Sequence, residues 1–221
     1  MNSVHRNTQD PRLLDALAAG DASVRLRAAL AIGTRGEPGD VDALVARSAI
    51  EPDFFVRDML TWALTRLPSR ITVPALCGEL RSERTQARSQ ALHTLSKIAD
   101  PEAWPAITRS LLHDANDEVA RSAWRAAVAL VPEDERAGLA AELAMQFGRG
   151  DRQLRSSLSR ALVALGEVVE PVLQAAAASP EPAVRAHAEA TLRLLRDPDA
   201  AFESDVDEAK RVVALGADGR R

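Results

Sequence analysis

One thirteen-residue pattern recurs six times along this chain, and no other sequence feature limits the possible folds as strongly. The stretch "DASVRLRAALAIG" beginning at Asp21 returns as "DFFVRDMLTWALT", "RTQARSQALHTLS", "NDEVARSAWRAAV", "DRQLRSSLSRALV" and "EPAVRAHAEATLR". With Val24, Val56, Ala87, Val119, Leu154 and Val184 as register marks, the intervals are 32, 31, 32, 35 and 30 residues. Six copies at so constant a spacing are an internal repeat, and stacked units are the physical solution to such a repeat.

Small or apolar residues fall at offsets 0, 4, 7 and 8 from each mark, as in Val24, Ala28, Ala31 and Ile32, which is one face of a 3.6-residue helix. Asp21, Asp53, Asp117 and Asp151 precede their copies, where a side-chain oxygen can cap exposed N–H groups. A shorter helical segment lies upstream of each copy: "DPRLLDALAAG", "DVDALVARSAI", "ITVPALCGEL", "DPEAWPAITRSLL", "DERAGLAAELAMQF" and "VVEPVLQAAAAS". Pro11, Pro74, Pro101, Pro105 and Pro171 suit first turns of these segments, whose N–H groups have no helical partner. A single pair of such helices cannot bury its apolar face, so the pairs must stack. The expected fold is all-α: an α-solenoid (superhelix) of about six helical pairs spanning residues 1–198. Residues 199–221 are expected to form an acidic C-terminal cap helix and tail, with Val206, Ala209, Val212 and Val213 on one face.

The unit "DPEAWPAITRSLLHDANDEVARSAWRAAVAL" resembles the HEAT-like repeat family, in the short form also found in phycobilisome lyases, whose pattern runs D-P-x-A-V-P-x-L and then D-x-x-V-R-x-x-A-A-x-A-L-G. The likeness covers roughly residues 10–196. It implies a ladder between the Asp and Arg of D-x-x-V-R, matched here by Asp21 with Arg25, Asp53 with Arg57 and Asp151 with Arg155, and more loosely by Glu181 with Arg185. Repeat three keeps Arg88 without an Asp in register and repeat four has Ala120 in place of the Arg, so the ladder is expected to be interrupted there.

Composition narrows the function classes. An apolar content of 46% suits a packed core, nothing approaches a membrane span, and "MNSVHRNTQD" lacks the apolar centre of a signal peptide, so a cytoplasmic location is expected. The single cysteine, Cys77, excludes an internal disulfide and reads as a small core residue. The formal charge is −4, of which residues 197–221, with seven acids and four bases, contribute 4 − 7 = −3. The rest of the chain is near neutral, without the excess of positive charge that gripping nucleic acid requires. His5, His93, His113 and His187 show no metal-ligand spacing, and phosphate-loop, nucleophile-elbow, dinucleotide and H-E-x-x-H signatures are absent. No cofactor, metal or catalytic residue is therefore assigned.

Function is expected where the repeats differ. Offsets 2, 3 and 6 of the second helix point away from the apolar stripe, and in the middle repeats they hold Asp58, Met59, Trp62, Ser89, Gln90, His93, Arg121, Arg125 and Arg160. His187 occupies offset 3 of the last repeat. An aromatic, a thioether, an acid and arginines in one groove resemble a recognition surface. Trp62 either reaches this groove or folds over a neighbouring repeat; Trp104 and Trp124 read as core, and of Phe54 and Phe55 one is expected to staple the helix start. The expected function is a non-enzymatic scaffold or adaptor binding a protein, peptide or helix in a concave groove; in a regulatory variant of that idea the groove senses a ligand for a transcription factor. The alternative is a HEAT-like DNA glycosylase acting on alkylated bases, with Asp58, Trp62, Arg121, Arg125 and Arg160 in its groove.

Overall fold

A computed structural model describes residues 10–197, so the expected cap helix in residues 199–221 lies outside the described residues. Each copy of the pattern forms a helix, and each upstream segment supplies its antiparallel mate or a substitute for one. The elements are α1 Pro11–Leu17, α2 Ala22–Arg35, α3 Val41–Ser48, α4 Phe54–Thr65, α5 Ser69–Glu79, α6 Thr85–Ile98, α7 Arg109–Leu112, α8 Asp117–Leu130, α9 Arg136–Ala144, α10 Arg152–Val163, α11 Glu170–Ala177 and α12 Pro182–Arg196. No strand occurs among the described residues. The chain divides into two compact units, Met1–Glu133 and Asp134–Arg221.

In the first unit α1 packs on α2, α3 on α4, α5 on α6 and α7 on α8, while the second helices run α2 on α4 on α6 on α8. In the second unit α9 pairs with α10, α11 with α12, and α10 with α12. The described residues thus hold six consecutive helical pairs, and the fold is an all-α solenoid arrangement of stacked pairs. The repeat marks explain the packing: Val56, Leu60, Ala63 and Leu64 of α4 are fully buried, as are Leu92 and Leu95 of α6. Each such side chain is worth about 1.5–3 kcal/mol of burial.

Capping follows the sequence in most repeats. The Asp21, Asp53 and Asp151 carboxylates accept from the N–H groups of Val24, Val56 and Leu154. In repeat four the cap is Asn116 rather than Asp117: its Oδ1 accepts from Glu118 and Val119, and Asp117 is the first helical residue. Two prolines behave differently from expectation. Pro74 lies inside α5, because that helix begins earlier, at Ser69. Pro105 lies inside a 3-10 segment, Pro101–Ala106, which Pro101 opens, and that segment and the single turn of α7 replace the expected helix of repeat four, with Ile107 and Thr108 non-helical between them. Pro105 has no N–H to bond the Pro101 carbonyl and its ring crowds that carbonyl, which disfavours a continuous α-helix here.

The repeated arginine makes a different ladder from the one the resemblance implies. Arg25 donates to the carbonyls of Ala19 and Gly20 at 2.9 and 2.7 Å, Arg57 to those of Glu51 and Pro52 at 3.0 and 2.7 Å, and Arg88 to those of Ser82 and Glu83 at 2.8 and 3.3 Å. Arg185 does the same with Ser179 and Pro180. The arginine therefore clamps the turn that precedes its own helix, while the Asp serves as cap. The rung to the next repeat is an acid 26 residues on: Arg25 to Glu51 and Arg88 to Asp114 at 3.1 Å. Repeat three is thus not interrupted. Repeat four lacks the arginine, and there the buried Trp124 indole N–H donates to the Leu112 carbonyl at 2.9 Å.

Glu51 is where three repeats of the first unit meet. Its carboxylate, fully buried, accepts from Arg25 Nε and Nη2 at 2.8 and 2.7 Å, from Arg47 Nε at 2.7 Å, and from the Asp53 N–H at 2.9 Å. Its carbonyl accepts from Arg57 and from the Gln86 amide of α6. Burial alone would raise the pKa, but the Arg25, Asp53 N–H and Arg47 bonds outweigh it and hold it at about 2. A carboxylate with a depressed pKa adds stability above its ordinary pKa and loses that contribution as pH falls toward the folded value. Glu51→Gln is expected to lower stability by about 3–5 kcal/mol at pH 7, because it strands a buried guanidinium. In urea unfolding the gap to wild type should narrow as pH falls from 4.5 toward 2; a gap independent of pH would contradict this role.

The second unit has its own buried polar centre. His187, expected in the groove, is instead buried: its Nδ1 accepts from the Gly148 N–H at 3.2 Å, and its Nε2 lies 3.0 Å from the Arg155 carbonyl. An Nδ1 that accepts leaves the ring proton on Nε2, which donates to that carbonyl. Ser159 Oγ, 3.1 Å from Nε2, is bonded to Thr191 Oγ1 at 2.7 Å, and Thr191 donates back to the His187 carbonyl. Burial lowers the His187 pKa, with the Arg155 charge adding to the effect and its carbonyl opposing it. Below pH 6.5 the unfolded chain takes up a proton that the folded one resists, so stability falls as the pH drops. His187→Gln is expected to lower stability at pH 7.5 by about 1–3 kcal/mol and to flatten the loss between pH 7 and pH 5 in denaturant titrations.

Candidate functional site

Positions not taken by packing, capping or the clamp define the remaining surface of each second helix. In the first unit these surfaces combine into a cleft of about 620 Å³ over α4, α6 and α8. Helix α6 presents Gln86, Ser89, Gln90 and His93, and α8 presents Glu118, Arg121, Ser122 and Arg125. Both sets are i, i+3, i+4, i+7, one continuous helix face. Helix α4 presents Phe54, Arg57, Asp58 and Thr61. That set is one residue earlier in the repeat, a turn of about 100° about the helix axis.

This shift decides which expected residues meet. Asp58, Ser89, Gln90, His93, Arg121 and Arg125 line the cleft together. Met59 and Trp62 are not among its lining residues. Trp62 keeps 37% of its surface exposed, with the Arg66 guanidinium 5.8 Å from the ring centroid, and it lies against Gly33 of α2. Of the two alternatives for Trp62, folding over the neighbouring repeat is the one observed. Arg160 lies on α10 in the second unit. Phe54 and Phe55 are both well exposed, at 65% and 70%, so neither staples the helix start; their rings meet edge to face at 5.6 Å.

Residues that sequence reasoning left out of the groove include Phe54, Arg57, Thr61, Gln86 and Glu118, while Ser122, at offset 3 of repeat four, is where the offsets put it. Adding offset −1 to offsets 2, 3 and 6 completes the helical face and would have found Gln86 and Glu118. Several walls are fixed by their own bonds. Gln86 spends its amide on the Ser48 and Glu51 carbonyls, Arg57 clamps its turn, and Arg121 is bonded to Glu118. Thr61 of α4 meets Thr94 of α6 at 3.4 Å between hydroxyls. Burial lowers the His93 pKa, the Lys97 and Arg125 charges lower it further, and Asp58 opposes them. The ring is therefore neutral at pH 7 and offers the cleft one donor and one acceptor.

The described residues hold no cluster of three or more His, Cys, Asp or Glu placed to bind a metal, and no helix among them is long and apolar enough to cross a membrane. Cys77 is half-buried and burial pushes its thiol pKa up, away from the thiolate a nucleophile needs.

Fold and cleft together define a helical-repeat protein whose second helices carry a polar recess. Residues 51–129 match the family model of HEAT repeats, so the HEAT-like resemblance holds over the repeats that build the cleft. Among solved structures, the chain is similar to the complex of CpcE and CpcF of phycocyanin lyase from Nostoc sp. PCC7120, at 21% identity and TM-score 0.48, covering 88% of this chain and 80% of that one. It is also similar to an engineered protein of the Northeast Structural Genomics Consortium, at 21% identity and TM-score 0.47, with 89% and 97% covered. A designed armadillo repeat protein is 17% identical, with TM-score 0.45 and 85% and 100% covered. No curated protein matches the chain.

The seat of Trp62 makes Gly33 a packing requirement. A Cβ there would stand 2.6 Å from Trp62 Cζ3 and 2.7 Å from Ala63 Cα. Gly33→Ala gains about 1 kcal/mol of helix propensity, which overpacking of about 1–3 kcal/mol offsets or exceeds. Chemical denaturation should show net destabilisation, only partly relieved in Gly33→Ala/Trp62→Ala because the α4 backbone remains in the way. A stabilised single variant would contradict this packing.

Proposed function

We propose that this protein is a non-enzymatic, cytoplasmic scaffold or adaptor that binds a protein segment in the cleft over α4, α6 and α8. One observation carries the proposal: three consecutive second helices present one recess in which Asp58, Ser89, Gln90, His93, Ser122 and Arg125 stand at positions outside the core, the caps and the arginine clamp. Gln86, Arg57 and Arg121 beside them are held by their own bonds, which lowers the cost of ordering the recess on binding. The glycosylase alternative has less to draw on. Of its five residues, Asp58, Arg121 and Arg125 line the cleft, Trp62 does not, and Arg160 lies in the other unit.

Site-specific photocrosslinking tests the assignment. A crosslinking amino acid at Gln90, in the cleft, should trap a defined partner in lysate of the source cell, and the same group at Arg70, exposed on α5, should not. Arg121→Ala combined with Arg125→Ala, both lining the cleft, should lower that yield about tenfold, as expected for anchor residues. Identical partner sets at Gln90 and Arg70, or a yield untouched by the double variant, would sink the cleft as the site. Incubation with methylated duplex DNA is expected to release no base; release would replace the scaffold proposal by the enzyme one.

A further inference from the structure

The charge of the cleft runs against the charge of the unit that contains it. Residues 1–133 hold 16 Arg and Lys against 17 Asp and Glu, 16 − 17 = −1. The cleft is lined by Arg57, Arg121 and Arg125 against Asp58 and Glu118, 3 − 2 = +1, with His93 neutral. The two acids are not equivalent. Glu118 is bonded to Arg121 on α8, whereas Asp58 stands on α4 near His93. At the α4 side lies the exposed Phe54–Phe55 pair, of which Phe54 lines the cleft. The Arg57 guanidinium lies 5.9 Å from the Phe54 ring centroid, and the rest of the two rings is exposed apolar surface at the mouth of a polar recess.

Resting on the protein-binding function above, we propose that the cleft receives an acidic linear segment of a partner protein. Its carboxylates lie toward Arg121 and Arg125 on α8, and an apolar side chain packs on Phe54 and Phe55 at α4. Three helices at about 8–10 Å spacing span about 16–20 Å, and an extended chain rises about 3.3 Å per residue. The contacted segment is therefore about five to six residues long, with its apolar residue at one end and its acids at the other.

The test uses the full chain, immobilised, and a phage-displayed library of random decapeptides panned in 50 mM salt, with a de novo three-helix bundle as the control surface. The expected consensus carries at least two more acids than bases and one Leu, Phe or Trp about four to five residues away from them. A synthetic peptide of that consensus, dye-labelled, is then read by fluorescence polarisation. Affinity should fall at least fivefold from 50 to 300 mM salt, at least tenfold in Arg125→Glu, and about tenfold in Phe54→Ala/Phe55→Ala. Arg121→Gln serves as the milder second charge variant, and thermal melting confirms that each variant remains folded. A basic or uncharged consensus overturns this proposal and leaves protein binding standing. Affinity unchanged in all of these variants also overturns it. No enrichment over the control surface overturns both this proposal and the scaffold function.

Discussion

The structure depends on one interaction repeated along the chain: an arginine in the first turn of a second helix donating to the carbonyls of the turn just before it. A solenoid of short helical pairs has a sharp turn in every repeat, and the carbonyls of that turn have no partner within a helix. A hydrogen bond to such a carbonyl from a charged donor contributes up to about 1.5–3 kcal/mol, and less where the turn is exposed. Arg25, Arg57, Arg88 and Arg185 each supply two bonds to such a turn. Where Ala120 replaces the arginine, the indole of Trp124 reaches a carbonyl of the same region. The size of Trp124 and the loss of the arginine are thus one substitution in two places. Glu51 joins the clamps of neighbouring repeats, because its side chain holds Arg25 and Arg47 while its carbonyl holds Arg57 and Gln86.

This framework determines where recognition can occur. Offsets 0, 4, 7 and 8 belong to the core and offset 1 to the clamp, so the one helix face left is −1, 2, 3 and 6. On α6 and α8 that face is what lines the cleft. On α4 the presented face is one residue earlier, and Trp62, at offset 6, lies against Gly33 of α2. Phe54 and Arg57 then stand at the edge of the cleft in place of Met59 and Trp62.

What the sequence made legible follows from what repeats. Six marks at near-constant spacing disclosed the helical pairs, the buried stripe and most caps, because each recurs and errors average out. Helix interruption in repeat four was missed although Pro101 and Pro105 are visible, since each proline alone is compatible with a first turn. The partners of the arginines were misassigned because the nearest acid in sequence is a cap, while the true partners lie 26 residues on. His187 looked like a surface residue by offset; only the Gly148 N–H and the Arg155 carbonyl, neither of which has a side-chain signature, account for its burial. Six of the nine residues expected in the groove line one cleft, and Trp62 instead lies against one glycine in another helix, a contact that no pattern within a single repeat encodes.

The unequal placement of the two acids gives the cleft a direction. Glu118 is drawn onto Arg121, which leaves its charge compensated on α8, and Asp58 on α4 faces a neutral His93. A carboxylate entering near α4 meets Asp58 as well as Arg57, whereas α8 offers Arg121 and Arg125 against Glu118, and such a difference in repulsion is as much a source of specificity as attraction. The aromatic pair at the same side accepts only apolar surface favourably. An acidic segment inserted in reverse would place its carboxylates beside Asp58 and its apolar residue among guanidinium groups, both unfavourable. For the proposed acidic segment, Asp58 and Phe54, four residues apart on one helix, would together favour one orientation over the reverse.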